Sequence, residues 1–167
     1  MIQLTQNKTT IVDDDDYARF GHLKWHYSHG RAVRRHGQWT RDRKKITGTI
    51  WLHREIMGDP EGLLVDHING NPLDNRKENL RLCVQSQNMG NARKTTKKTS
   101  SVYKGVYKES SKGFKNPWSA YVNKDGKRSS LGHFATEEEA ALAYNTKAEE
   151  LFGEFANLNV ITKRKKQ

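Results

Sequence analysis

Between Gly62 and Lys94 the chain reads GLLVDHINGNPLDNRKENLRLCVQSQNMGNARK, and this stretch leaves few folds open. Leu63 to Ile68 is a short apolar run with Asp66 and His67 near its end. Asn69, Gly70, Asn71, Pro72, Asp74 and Asn75 follow, residues that take turn conformations at little cost. A second apolar run spans Leu80 to Val84. Ser86 then stands where a helix cap belongs, ahead of Gln87, Asn88, Asn91 and Arg93. The stretch therefore predicts strand, loop, strand and helix.

The polar residues of this unit suit phosphodiester chemistry. The Asp66 carboxylate matches a hard cation such as Mg²⁺, which prefers oxygen ligands. The Asn88 carbonyl is a second oxygen donor. His67 is the one side chain here that accepts a proton near neutral pH. A metal that offsets phosphate charge, beside an imidazole that deprotonates water, is what hydrolysis needs. For Asn79 two roles stand open: fixing the loop, or holding the His67 ring.

On these residues the chain resembles the HNH homing endonucleases, in the variant whose last histidine is Asn. The match runs from about Trp51 to Lys94, and the DHINGNPLDNRKENLR run carries it. The resemblance implies an α+β protein with a ββα-metal (His-Me finger) nuclease core at residues 47–94. It implies Asp66 and Asn88 as metal ligands, His67 as general base and Asn79 as the central motif Asn. Asn88 in place of a third His departs from the commonest pattern. A neutral amide is a weak ligand, so loose metal binding without DNA is expected.

Composition agrees with a polyanionic partner. The 167 residues carry a net charge of +11, with 34 % hydrophobic residues. Small cooperating modules are expected rather than one large core. Nucleic acid is the first partner for such a basic chain. No apolar run is long enough to span a bilayer, and the N-terminus lacks a signal-peptide apolar region. The expected location is the cytoplasm, or that of a host cell for a phage-encoded chain. The single cysteine, Cys83, excludes paired CxxC zinc clusters, so no structural zinc is expected. His22, His26, His29, His36 and His53 are read as non-ligands.

Residues 1–46 read as a basic, β-rich segment. Leu4 to Val12 predicts a strand, and Asp13 to Asp16 predicts a helix start, where acids suit the macrodipole. Four adjacent carboxylates are not expected to face one ion. Strands around Ser28-His29-Gly30 are expected to pair. Between Arg31 and Lys45 stand seven basic residues and one acid. Arg31, Arg34 and Arg35 are the phosphate-contact candidates, with a solvated basic surface as the competing reading. Ile46 to Met57 predicts a strand passing into a short helix.

After Asn91 the chain turns basic and hydroxyl-rich, reading as a linker at 95–100 with Arg93 and Lys94 near phosphates. Residues 101–159 predict a three-stranded antiparallel sheet with one packed helix. Val102–Lys108, Trp118–Val122 and Arg128–Phe134 are the strands. Asp125-Gly126 is a tight hairpin turn. Thr136 and Glu139 form a capping box for a helix over 137–152. Residues 160–167 read as a basic tail.

This module resembles the APETALA/ethylene-response-factor type DNA-binding domain. The matching residues are Tyr103-Lys-Gly-Val106, Trp118-Ser-Ala, Leu131-Gly-His-Phe134, the Thr136 helix start and Ala156-Asn-Leu-Asn159. Lys104 and Arg128 match family DNA-contacting basics, and Lys108 joins them on the expected outer face. For Trp118, packing and DNA contact stand level. Tyr107, Asn123 and Ser130 depart from the plant pattern, so DNA binding carries over and the plant sequence preference does not. The expectation is a metal-dependent endonuclease acting on double-stranded DNA, with Mg²⁺ first and Mn²⁺ as its substitute. A monomer on DNA would nick one strand. The reading from another class is a non-catalytic DNA-binding regulator that keeps the nuclease fold as scaffold.

Overall fold

A computed structural model describes residues 1–39, 45–94, 99–110 and 115–161. Much of the basic run at 40–44, most of the linker and nearly all of the tail lie outside these residues. The chain divides into two compact units, Met1–Val84 and Gln85–Gln167.

The first unit opens with a small hairpin. β1 (Ile2–Gln3) pairs antiparallel with β2 (Thr9–Thr10), around a turn in which Gln6 and Asn7 take positive φ of 60° and 53°. The single strand expected over Leu4–Val12 is thus broken by a turn that no glycine announces. α1 (Asp14–Phe20) begins within the run of acids, as their preference for a helix start predicts. β3 (His26–Ser28), β4 (Arg31–Trp39) and β5 (Lys45–Trp51) form an antiparallel sheet in that order. His29 and Gly30, both at positive φ, turn β3 into β4. β5 runs directly into α2 (Leu52–Ile56).

β6 (Leu64–His67) and β7 (Leu80–Cys83) pair antiparallel, with Asp66 opposite Arg81 and His67 opposite Leu80. Two strands this short are marginal alone. Their apolar side is supplied by the unit's core: Ile2, Leu4, Val12, Phe20, Trp25, Ala32, Leu52, Ile56 and Leu80, with Val65 and Leu73 against it. Burying a side chain such as fully enclosed Leu52 contributes about 2 kcal/mol. This core draws on both sides of the boundary placed at residue 46 by sequence. The N-terminal segment and the β6–β7 hairpin fold as one body.

The second unit begins with α3 (Gln85–Asn91). Ser86 lies inside its first turn rather than at the cap expected for it. β8 (Val106–Lys108), β9 (Trp118–Lys124) and β10 (Lys127–Phe134) form an antiparallel sheet in the order β10-β9-β8. Asp125 and Gly126 turn β9 into β10 with φ of 50° and 75°, the double positive-φ geometry that Asp-Gly favours. α4 (Glu137–Phe152) covers one sheet face with Ala140, Ala141, Tyr144, Ala148 and Phe152. Its Thr136–Glu139 capping box is formed as read from sequence. Gly105 is required where the chain enters β8. It has φ +73°, and a Cβ there would lie 2.1 Å from the Tyr144 ring. Asn159 closes the unit by bonding both backbone groups of Lys104, at 2.6 and 3.0 Å.

Among the described residues, no helix is long and apolar enough to cross a membrane.

Candidate active site on the β6–β7 hairpin

The hairpin brings Asp66, His67 and Asn79 into one buried cluster. Asp66 and His67 occupy the end of β6, and both are buried. Gly70 N donates to His67 O and Ile68 N donates to Asn79 O, so the loop folds back on the strand ends. The Asn79 side chain bonds the loop. Its Oδ1 accepts from Asn69 N at 2.9 Å, and its Nδ2 donates to Asp74 O at 2.7 Å. Asn79 fixes the loop.

The His67 ring is held by Asn75 instead, with Nε2 and Asn75 Oδ1 2.9 Å apart. Asn75 is almost fully buried and bonds in turn to Thr10 Oγ1 at 2.6 Å. Sequence reading passed over Asn75 because a residue in a turn-rich run looks like a turn former. Thr10 stands 65 residues away and gives no local signal.

Three features set the electrostatics. Arg81, opposite Asp66 in the ladder, donates to Asp66 Oδ2 from Nε at 3.1 Å and sits at 3.0 Å through Nη2. Second, the His53 ring on α2 lies 5.2 Å from the His67 ring. Burial, then the neighbouring His67 and Arg31, hold His53 down to about 3. Burial also lowers His67, against the opposing Asn75 bond, so both rings are neutral at neutral pH. Third, Arg31 is exposed, lies 5.7 Å from the Trp51 ring and disfavours charge on both histidines. A cation beside a neutral imidazole suits an anionic substrate.

The donors here include an oxygen ligand suited to a hard cation. Asp66 offers oxygen. Cys83 is buried, lies 3.8 Å from Leu64 O, and burial raises its thiol, which disfavours a thiolate ligand. Asn88 is half-buried on α3, in the second unit.

Three of the four N-terminal acids, Asp13, Asp15 and Asp16, converge, and Asp14 is not among them. They gather on Lys77. Its N–H donates to Asp13 Oδ2 at 2.8 Å, and its ammonium pairs with Asp15 and, at 3.3 Å, with Asp16. Asp16 also pairs with Arg19. These acids tie α1 to the segment just before Asn79.

Three of the basic residues read as DNA contacts bond to polar groups of the chain. Arg34 is paired with Glu55 at 2.7 Å and lies over Trp25. Lys94 Nζ donates to Tyr103 O, and Lys104 Nζ donates to Gly90 O beside the Tyr144 ring. Burial pushes Lys104 down to about 8. These three cations have internal partners. Arg31, Arg35, Arg93, Lys108 and Arg128 are exposed. Arg128 lies 3.9 Å from the Tyr121 ring and 5.1 Å from that of Tyr107. Lys108 lies over Trp118, which is partly buried against the second core, so Trp118 has a packing role.

Comparison with known proteins gives a family match over the hairpin. Residues 58–90 match the family described as HNH endonuclease. An uncharacterized HNH endonuclease, L560, of Acanthamoeba polyphaga mimivirus is 46 % identical over 120 residues, 68 % of this chain and 59 % of that protein. This chain therefore spans less than two thirds of the mimivirus relative's length. Protein 3.8 of Escherichia phage T7 is 36 % identical over 97 residues, 58 % of this chain and 76 % of that protein. No solved structure matches.

Proposed function

We propose that this chain, whose residues 58–90 match the HNH endonuclease family, is a metal-dependent, homing-type enzyme that hydrolyses phosphodiester bonds in duplex DNA. The observation that carries this is the buried Asp66–His67 pair at the end of β6, with the His67 ring held by Asn75. In this reading β6, β7 and α3 are the ββα-metal core. Asp66 and Asn88 would hold one divalent cation, Mg²⁺ or in its place Mn²⁺, which would supply charge to offset that on the phosphate and the leaving oxygen.

The chain's own groups do the rest. His67 takes a proton from the attacking water. Asn75 keeps the ring aimed, and Asn79 keeps the loop closed behind it. Arg31 steadies the phosphate by charge. Hydrolysis leaves a 5′-phosphate and a 3′-hydroxyl. One such site per chain nicks one strand, so a monomer on DNA leaves open circles from a supercoiled plasmid. The sheet β8–β10, of ethylene-response-factor type, supplies duplex contacts through Lys108 and Arg128, while Arg35 and Arg93 add phosphate attraction.

One observation favours the second reading, a non-catalytic DNA-binding regulator. Asp66 Oδ2 already has a cation, Arg81. Incubating the protein with supercoiled plasmid bearing its own genomic neighbourhood, with Mg²⁺ or with chelator, separates the two. Open circles that form only with metal support the enzyme. Duplex binding without conversion under either condition supports the regulator.

A further inference from the structure

A chain of hydrogen bonds leads from the N-terminal hairpin to the catalytic ring. Thr10 is fully buried, and its hydroxyl lies 2.8 Å from Leu73 O. A carbonyl oxygen only accepts, so the hydroxyl proton points there. The same Oγ1 lies 2.6 Å from the Asn75 amide. With its one proton already donated, Oγ1 accepts, and the Asn75 group facing it must be the NH₂. The opposite rotation would set two oxygens against each other with no proton between them. Asn75 Oδ1 is thereby turned to His67 Nε2, at 2.9 Å. That oxygen also only accepts, so Nε2 must carry a proton.

We propose that Thr10 is a positioning residue which, through Asn75, holds neutral His67 as the Nε2-protonated tautomer and so selects Nδ1 as the nitrogen that receives the proton from water. This rests on the reading of His67 as general base. Thr10 itself touches no reacting atom. Its placement does not depend on its hydroxyl. Ile11 N donates to Leu73 O and Asn75 N donates to Ile11 O, both at 2.8 Å, so backbone bonds tether β2 to the loop. The hydroxyl is left to set which way the Asn75 amide faces. Replacing it by a methyl group frees Asn75 to rotate and exposes His67 Nε2 to a donor instead of an acceptor.

The test is a long-range ¹H–¹⁵N correlation spectrum of the full-length, ¹⁵N-labelled protein at a pH where the ring is neutral. His67 signals are assigned by their loss in His67→Gln. Wild type is expected to show a protonated Nε2 and an unprotonated Nδ1. In Thr10→Val the two tautomers mix, and plasmid nicking slows about tenfold in kcat, the cost of about one hydrogen bond, with duplex binding unchanged. Thr10→Ser restores both the single tautomer and the rate. A wild-type ring protonated at Nδ1 overturns the proposal, as does a folded Thr10→Val with the wild-type tautomer. Should Thr10→Val not fold, the wild-type and Thr10→Ser spectra still decide, because both must show the Nε2-protonated ring. The spectrum needs no metal and no cleavage. A cutting His67→Ala variant would remove the general-base reading while leaving the tautomer result standing.

Discussion

Arg81 and Asp66 face each other across the β6–β7 ladder, joined by contacts of 3.0 and 3.1 Å to a single carboxylate oxygen. Both side chains are largely buried, at 13 % and 8 % exposed, so the pair is poorly screened. Under the proposed function, Arg81 competes with a cation for Asp66. Arg81→Gln leaves a buried carboxylate without its ionic partner, a loss on the order of 3 kcal/mol. Its melting temperature without metal should fall, and millimolar Mg²⁺ should recover more of the loss than it adds to wild type. Equal Mg²⁺ shifts in the two proteins would deny Asp66 a role in holding metal.

Asn79 bonds the loop at two points, Asn69 N and Asp74 O. Asn79→Ala removes both bonds, at about 1–3 kcal/mol for a group left buried without a partner. Amide exchange at Asn69 should accelerate sharply, while exchange in β4 changes far less. A variant whose Asn69 stays as protected as in wild type would show that the loop closes without this side chain.

The buried histidines make stability depend on pH in a known direction. His53 is held down to about 3 from its ordinary 6.5 by burial. Its folded-state value lies below the unfolded one, so the unfolded chain binds protons first as pH falls. The stability from a neutral ring is complete above about 6.5 and is lost as pH falls toward 3. The slope is about 1.4 kcal/mol per pH unit, so lowering pH from 7 to 5 costs on the order of 2 kcal/mol at this site. Urea unfolding at both pH values measures this, and His53→Gln should shrink the difference. An undiminished difference would assign the effect to other groups.

Cations with internal partners and exposed cations should behave differently with DNA. Arg128→Ala should reduce the slope of log affinity against log salt by about 0.9, the contribution of one phosphate contact. Lys104→Met should leave that slope unchanged and lower stability, because its ammonium already bonds Gly90 O. A slope change at Lys104 equal to that at Arg128 would mean that Lys104 leaves its internal partner to bind DNA.

What could be read in the sequence was what local chemistry decides. Asp125-Gly126 specifies its turn, Thr136 and Glu139 specify a helix start, and the Asp66–His67 pair closes an apolar run. The residues that complete the site depend on pairing across the chain. Arg81 reaches Asp66 only through the register of β7 on β6. Asn75 reaches His67 only once Asn79 has folded the loop, and Thr10 arrives from a hairpin far upstream. Lys104 alternates like an outward strand residue, yet Asn159 grips its backbone just before β8 and its side chain turns inward. The β1–β2 turn carries no glycine signal, because Gln6 and Asn7 take the positive φ.

The most direct test of the account is to compare wild type and His67→Ala on one supercoiled plasmid, measuring binding and Mg²⁺-dependent nicking side by side. The account predicts that the variant binds duplex within about twofold of wild type, because His67 contributes no charge near neutral pH. Nicking should fall by about a hundredfold or more, the scale of a lost general base. A variant that binds and nicks like wild type would contradict it.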